Sequence, residues 1–309
     1  MDGVLIIDKP PGRTSHDIVR DVKKLLGAKK VGHAGTLDPM ATGVLTICVN
    51  EATKIAQFFT NDDKEYRATM LLGVRTDTFD IEGEVLERRT PCLQPQEIRD
   101  VMGGFVGRIE QKAPRYSAVK FKGKPLYKWT RQGIDIEPPV RSVDVHHITV
   151  EEIRLPFVTF TVSCSKGTYI RSLCADIGDA LGCGACLSSL RRTRSGSFEE
   201  ENAISLECLA DGEAIGILKK SLIPVANALP GFRNIVVDQD TANRIRQGYQ
   251  PDCGVLNDKK TPLMEKGDLV KFMMQDGSII AVAKTLFSAE EVSQLSEGKQ
   301  VAKILRVFN

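Results

Sequence analysis

Apolar and polar positions change period several times along the chain, and each change marks an element. Val4-Leu5-Ile6-Ile7 is an unbroken apolar run ended by Asp8-Lys9-Pro10-Pro11-Gly12, the pattern of a buried strand stopped by a turn. From Asp17 to Leu26 the period lengthens to that of a helix, with Ile18, Val22, Leu25 and Leu26 on one face and Thr14 or Ser15 as its N-cap. A second unbroken run, Val44 to Val49, predicts another buried strand, whereas Tyr66 to Leu72 alternates and predicts a strand with one polar face. Gly73 to Gly83 reads as a polar loop containing Thr76-Asp77-Thr78-Phe79-Asp80, ahead of a strand at Glu84 to Leu86. Strands are also predicted at Val143 to Ile153 and Phe157 to Ser163. Helices are predicted over Pro95 to Met102 and Ile170 to Leu181, the second with Leu173, Ile177 and Leu181 in its buried stripe. Helices and strands do not alternate as βαβ units, so the pattern predicts a mixed α+β fold.

Beyond Pro224 and Pro230-Gly231 the texture becomes β-rich. Ile235-Val236-Val237 and a short helix at Gln239 to Gln247 precede strands near Leu269 to Met274, Ile279 to Ala283 and Val301 to Val307, with turns at Asp276-Gly277 and Glu297-Gly298. A boundary at 231/232 follows, dividing the chain into residues 1–231 and a small second domain, 232–309. The length of 309 residues suits two domains.

Composition narrows the class without deciding it. Hydrophobic residues make up 42% and charged residues 27%, values of an ordinary globular chain. No apolar stretch approaches the roughly 18 residues of a membrane span, and the first apolar run breaks at Asp8-Lys9, so a cytoplasmic protein is expected. Eight cysteines in such a chain read as reduced thiols. Cys183-Gly184-Ala185-Cys186 has CxxC spacing, but no second close pair accompanies it and the four histidines form no ligand cluster; no metal is expected.

The candidate chemistry centres on Gly32-His33-Ala34-Gly35-Thr36-Leu37-Asp38-Pro39-Met40-Ala41-Thr42-Gly43. One carboxylate sits there among glycines, a histidine and a proline, on a loop ahead of a core strand. Read locally, Asp38 fits both a turn cap before Pro39 and a catalytic carboxylate on a loop that lets a ligand approach the backbone. Charge is also local. Lys112 to Gly133 holds seven basic and no acidic residues, interleaved with Tyr116, Phe121, Tyr127 and the sole tryptophan, Trp129. Cations that neutralise phosphates beside aromatic faces that stack on bases suit nucleic acid; a solvated basic loop is the plainer alternative. Lys166-Gly167-Thr168-Tyr169-Ile170-Arg171 and Arg191-Arg192-Thr193-Arg194 supply a second basic cluster, so two basic edges are expected around one polyanion.

Leu5-Ile6-Ile7-Asp8-Lys9-Pro10, the Gly32 to Pro39 block, Lys64-Glu65-Tyr66-Arg67, Tyr116-Ser117-Ala118-Val119-Lys120 and Cys164 to Arg171 resemble, in order and spacing, the bacterial TruB family of tRNA pseudouridine synthases. The resemblance spans essentially the whole chain and continues from Leu181 to Arg192, with the CxxC at variable positions. It implies a pseudouridine synthase fold, a largely antiparallel mixed sheet, with a thumb insertion at about 112–140 and a small C-terminal PUA-like β-barrel. It implies an isomerase of uridine 55 in the tRNA T loop, working without a cofactor, as a monomer, with the C-terminal domain gripping the acceptor end. By the same resemblance Asp38 is the essential carboxylate, Arg171 pairs with it, and Tyr66 stacks on the uracil and helps remove the C5 proton. Tyr169 and Leu190 line the pocket and His33 fills the gap left by the flipped base. Lys9 belongs to the same binding set, as support for the loop. A tRNA-folding chaperone with secondary catalysis is the alternative, and a guide-RNA-dependent relative a more distant one.

Overall fold

The computed structural model describes residues 1–308 apart from 118, 131, 135, 207–213, 257–262 and 297. The predicted turn at Glu297-Gly298 therefore lies partly outside the described residues, as does Ala118 of the Tyr116 to Lys120 block.

One large mixed sheet carries the first two-thirds of the chain. Its main path runs Ile204–Ser205, Gly3–Lys9, Thr42–Val49, Ala185–Ser195, Lys64–Leu72, Phe157–Cys164, Val140–Arg154, Gly107–Lys112, and Val31–Ala34 and Phe198–Glu199 pair at its sides. Among the described residues only two of this sheet's pairings are parallel, Ile204–Ser205 on Gly3–Lys9 and a short one that joins Ala185–Ser195 to Thr42–Val49 through Arg191↔Thr42 and Arg192↔Gly43. The rest are antiparallel.

The apolar patterns follow from which faces are covered. Leu5 and Ile7 join Leu45, Ile47 and Val49 under the helices Ser15–Leu26 and Ala214–Lys220, while Val4, Ile6, Val44 and Cys48 pack on the opposite face with Ala52, Ile55 and Phe59. Both faces are covered there, so the runs are unbroken. In Lys64–Leu72, Ala68, Met70 and Leu72 are buried, but Arg67 and Thr69 face outward, Arg67 Nε donating to Glu151 Oε2 at 2.7 Å and Thr69 meeting the Thr159 hydroxyl at 3.1 Å; this strand alternates.

The helix Ser15–Leu26 begins with a reciprocal cap: Asp17 N donates to Thr14 Oγ1 (3.1 Å) and Thr14 N donates to Asp17 Oδ2 (3.0 Å). Pro95–Gly103 buries Ile98 and Met102, and Ile170–Ala180 buries Leu173 and Ile177. The central strand Ala185–Ser195 is absent from the sequence prediction, as are Val31–Ala34 and Gly107–Lys112. The loop expected after Gly73 opens as a strand, Val74–Thr76, paired with Val85–Arg88.

A second sheet follows, in the order Arg233–Val236, Leu269–Met273, Ile279–Thr285, Ala302–Val307. The β-rich unit is there, but among the described residues its sheet is open, since no pairing joins the first and last strands, and the expected barrel closure is not found. Val282 and Phe308 pack with Val4, Ile6 and Val44. The buried Lys271 Nζ donates to the carbonyls of Ala226 (2.7 Å) and Leu229 (2.9 Å), and Lys54 Nζ to that of Val307 (2.8 Å). Among the described residues no helix is long and apolar enough to cross a membrane.

Gly178 is where the helix Ile170–Ala180 meets the central strand: a Cβ there would overlap the backbone of Gly184 and Ala185. Gly178→Ala is expected to destabilise the fold by about 1–3 kcal/mol, the usual cost of overpacking. Gly216→Ala, in the helix Ala214–Lys220 with nothing within 4 Å of its missing Cβ, is expected to be neutral or stabilising by up to about 1 kcal/mol. Denaturant unfolding of the two variants beside wild type measures both.

Candidate active site

The loop that carries Asp38 is tied from two sides. Lys9, wholly buried at the end of the first strand, donates from Nζ to the carbonyls of Pro10 (2.9 Å), Pro39 (3.0 Å) and Ala41 (2.6 Å). Gly12 N reaches Pro39 O at 2.9 Å, and Ser15 Oγ donates to Leu37 O (3.1 Å) while accepting from Leu37 N (2.9 Å). Across the loop, Arg192 donates from Nε to Val44 O (2.7 Å) and from Nη2 to Gly35 O (2.9 Å). An ammonium has three donors, and all of Lys9's go to protein carbonyls. These bonds support the loop. Burial pushes its pKa down to about 8, with Asp38 opposing that fall.

Asp38 projects from this frame onto Arg171, in the first turn of Ile170–Ala180. Arg171 Nη2 donates to Asp38 Oδ1 at 3.3 Å, and Nε lies 3.0 Å from Oδ2 without forming a hydrogen bond. The other side of the guanidinium is also held: Nη1 donates to Thr78 O (3.2 Å) and Asp80 Oδ2 (3.3 Å), and Nη2 to Tyr116 O (2.9 Å). The arginine side chain is 5% exposed and that of Asp80 7%, against 36% for Asp38. One buried cation thus faces two carboxylates, of which only Asp38 opens toward solvent. Burial raises the Asp38 pKa above the ordinary aspartate value; Arg171 and Lys9 pull it back, and the Asp80 charge adds to the rise.

Asp80, Thr78 and the Tyr116 carbonyl were not singled out from the sequence. Asp80 ends the polar Thr76-Asp77-Thr78-Phe79-Asp80 stretch, which reads as a turn, and only the fold brings it 91 residues back to Arg171. Locally it is fixed by Thr78 Oγ1 (2.7 Å) and Glu82 N (3.1 Å), both donating to its Oδ1.

The other expected residues lie around this centre. Tyr66 and Leu190 sit on adjacent strands, Tyr66 opposite Arg192 and Leu190, 8% exposed, opposite Ala68. Burial raises the Tyr66 phenol pKa, so the group is neutral near pH 7, and Arg192 opposes the rise. Tyr169 caps the Arg171 helix, its N–H donating to Gln111 Oε1 (2.7 Å) while Gln111 Nε2 donates to its carbonyl (3.0 Å). His33, on Val31–Ala34, meets Thr36 Oγ1 at 3.2 Å; burial and the Arg192 charge lower its pKa, which favours the neutral ring. A hollow of about 500 Å³ lies at the far end of the Lys64–Leu72 strand, by Leu72, Arg88 and Pro156, and none of these residues lines it.

The basic segment forms a two-strand turn, Lys120–Phe121 and Lys124–Pro125, and a helix, Leu126–Thr130, with Lys124 Nζ 4.9 Å above the Trp129 ring. Arg131 lies outside the described residues. The second basic edge is not formed as expected. Arg191 pairs with Asp8 and Glu200, Arg192 is buried, and Arg194 lies 3.7 Å from Glu65, all on the central strand. Cys183 and Cys186 are buried where that strand begins.

Known proteins are similar to this chain in sequence and in fold. The family model described as TruB family pseudouridylate synthase (N terminal domain) matches residues 23–170, and that of the tRNA pseudouridylate synthase B C-terminal domain matches 171–229. The tRNA pseudouridine synthase B of Syntrophus aciditrophicus is 52% identical over 309 residues, covering 100% of this chain and 99% of that protein. The Geobacter sulfurreducens protein of the same name is 41% identical over 310 residues, covering all of both. Among solved structures, a chain of an H/ACA RNP bound to a substrate RNA containing 2′-deoxyuridine superposes with a TM-score of 0.75 at 29% identity, covering 99% of this chain and 85% of that one. A chain of a Cbf5-Nop10-Gar1 complex gives 0.73 at 31%, with the same coverage. The fold is therefore that of the pseudouridine synthases. With relatives this similar along its whole length, the chain belongs to the TruB family of pseudouridylate synthases.

Removing the Asp80 charge removes one cause of the raised Asp38 pKa. Asp80→Asn is expected to make the Asp38 carboxyl more acidic than in wild type, read by NMR titration of carboxyl-labelled aspartate with Asp38→Asn assigning the resonance.

Proposed function

We propose that this enzyme converts uridine 55 in the T loop of tRNA to pseudouridine, and the observation that carries the reading is the half-open Asp38 carboxylate seated on a buried Arg171 whose two Nη groups are held from the other side. The reaction breaks the bond from N1 to C1′, turns the uracil, and joins C5 to C1′; N1 ends protonated and C5 gives up its proton, so nothing is oxidised or reduced. Attack at C1′ and removal of the C2′ proton both need an ionised carboxylate. Arg171 favours that form and fixes its direction, while burial keeps the carboxylate reactive.

Tyr66, neutral and beside the loop, supplies a ring to stack on the extruded uracil and is the group near C5 when its proton leaves. Tyr169 and Leu190 complete the pocket wall. Neutral His33 fills the space the base vacates, offsetting part of the few kcal/mol that flipping costs. The basic segment acts as a thumb that closes on the T arm, and its root is joined to the site through the Tyr116 carbonyl on Arg171. The C-terminal sheet grips the acceptor end. The enzyme works as a monomer, one chain carrying both the pocket and the RNA grip. Relatives named for tRNA are 52% and 41% identical along the chain, against 29% and 31% for the RNP chains, and this supports tRNA as substrate.

Tritium release from tRNA labelled at uridine C5 is the direct test. Wild type is expected to release tritium and Asp38→Asn to lose about 100- to 10,000-fold of the rate while still binding tRNA; tRNA bound without release by either protein would refute the isomerase. Because the Asp38 pKa is raised, activity is expected to fall with decreasing pH from a point above that of an ordinary aspartate, as the carboxylate takes up a proton. Saturating tRNA is expected to protect residues 112–140 from limited proteolysis; unchanged cleavage there would count against the thumb.

A further inference from the structure

Arg192 is 1% exposed and heads the wholly buried side chains by size, yet it has no carboxylate partner at salt-bridge distance among the described residues. Its hydrogen bonds go to two carbonyls, Gly35 O and Val44 O, which bracket the Asp38 loop. Its backbone is equally committed. Arg192 pairs in parallel with Gly43, whose φ of +95° and missing Cβ allow an approach that a side chain would block, since a Cβ at Gly43 would overlap the Arg192 carbonyl. On its other side Arg192 is the cross-strand partner of Tyr66, so the two side chains share a face about 5 Å apart at Cβ.

We propose that Arg192 is a positioning residue for the isomerisation, fixing the Asp38 loop and Tyr66 relative to one another across the seam of the sheet. This rests on the reading of the site as a pseudouridine synthase. A planar guanidinium suits that role because it spans two carbonyls from one rigid fork, which a lysine amine does less well and an apolar chain not at all. The seam between Ala185–Ser195 and Thr42–Val49 has only two paired positions, Arg191↔Thr42 and Arg192↔Gly43, so the two halves of the site have little other backbone connection. The charge acts in the same direction. It opposes the rise of the Tyr66 pKa and favours the neutral form of His33, acting on residues either side of the loop without touching Asp38.

The test is steady-state tritium release by wild type, Arg192→Met and Arg192→Lys, with thermal unfolding of each. Arg192→Met is expected to lower kcat by about 100-fold, the effect of a misplacement of about 1 Å at reacting atoms, with KM within about threefold of wild type. Arg192→Lys is expected to recover at least about fivefold of that loss. If Arg192→Met does not fold, the Lys variant alone carries the test: a lowered kcat at unchanged KM supports the proposal. A raised KM with kcat held, a kcat equal to wild type, or a folded Lys variant no better than a folded Met variant would overturn it. A wild type that binds tRNA and releases no tritium would instead overturn the isomerase reading itself, so the two failures are distinct.

Discussion

Burying a guanidinium costs several kcal/mol unless its donors are matched, and breaking a buried pair by removing one partner typically costs about 3–5 kcal/mol. Arg171 meets most of that constraint with four hydrogen bonds, to Thr78 O, Asp80, Asp38 and Tyr116 O, and its Nε, though 3.0 Å from Asp38 Oδ2, forms none. The cluster draws on four parts of the chain: the tip of the Val74 to Arg88 hairpin, the Asp38 loop, the root of the basic segment, and the helix on which the arginine sits. Each has to arrive in register for the arginine to be buried at all. The ion cluster is thus a condition on the fold as much as a feature of the site, and two carboxylates on one cation explain why Asp38 is held in place yet only partly neutralised.

The Asp38 loop illustrates how little of a catalytic geometry is local. Its sequence of glycines, a proline and small residues has no preferred shape, and no regular structure holds it. Lys9 from the first strand and Arg192 from the central strand supply the order instead, each hydrogen-bonding loop carbonyls in a region with almost no solvent. A buried cation that serves backbone carbonyls organises without competing for Asp38. The negative ends of carbonyl dipoles meet its charge, and the carboxylate remains for Arg171.

The sequence carries most of this fold but not its middle strand, nor Gly107–Lys112 at the edge and Val31–Ala34 at the side. Elements with regular apolar periods, such as Ser15–Leu26 and Ile170–Ala180, are legible because one face is uniformly buried. Ala185–Ser195 is not, although it is the middle strand of the sheet. It contains Arg191, Arg192 and Arg194, which local reading assigns to a basic surface, and two bulges shift its register, so no alternation survives. Those arginines are accommodated largely by partners more than a hundred residues away, and such pairing leaves no local trace. Asp38 and Arg171 stand out through blocks that resemble a family, whereas Asp80 looks like any turn aspartate until the hairpin delivers it. Among the described residues the C-terminal sheet stays open where a barrel is expected for a related reason: strand patterns predict strands, but closure depends on how the first and last strands pair.

Not every part of such an enzyme is equally free to adapt to a large folded RNA. The sheet halves, the Asp38 loop and the C-terminal unit are joined by buried side chains: Lys9, Arg192 and Lys271 to carbonyls, and Val282 and Phe308 to the apolar back of the sheet. The basic segment is different, with a small core of its own, Ala113, Val119 and Leu126 with Tyr169 against it, and a direct link to the site through Tyr116 and Arg171. A segment with few apolar contacts opens at low free energy, and one whose backbone carbonyl accepts from Arg171 is coupled to the position of that arginine. On the proposed function, this segment is where the shape of a bound RNA can be felt at Asp38, because its root and Asp38 share Arg171.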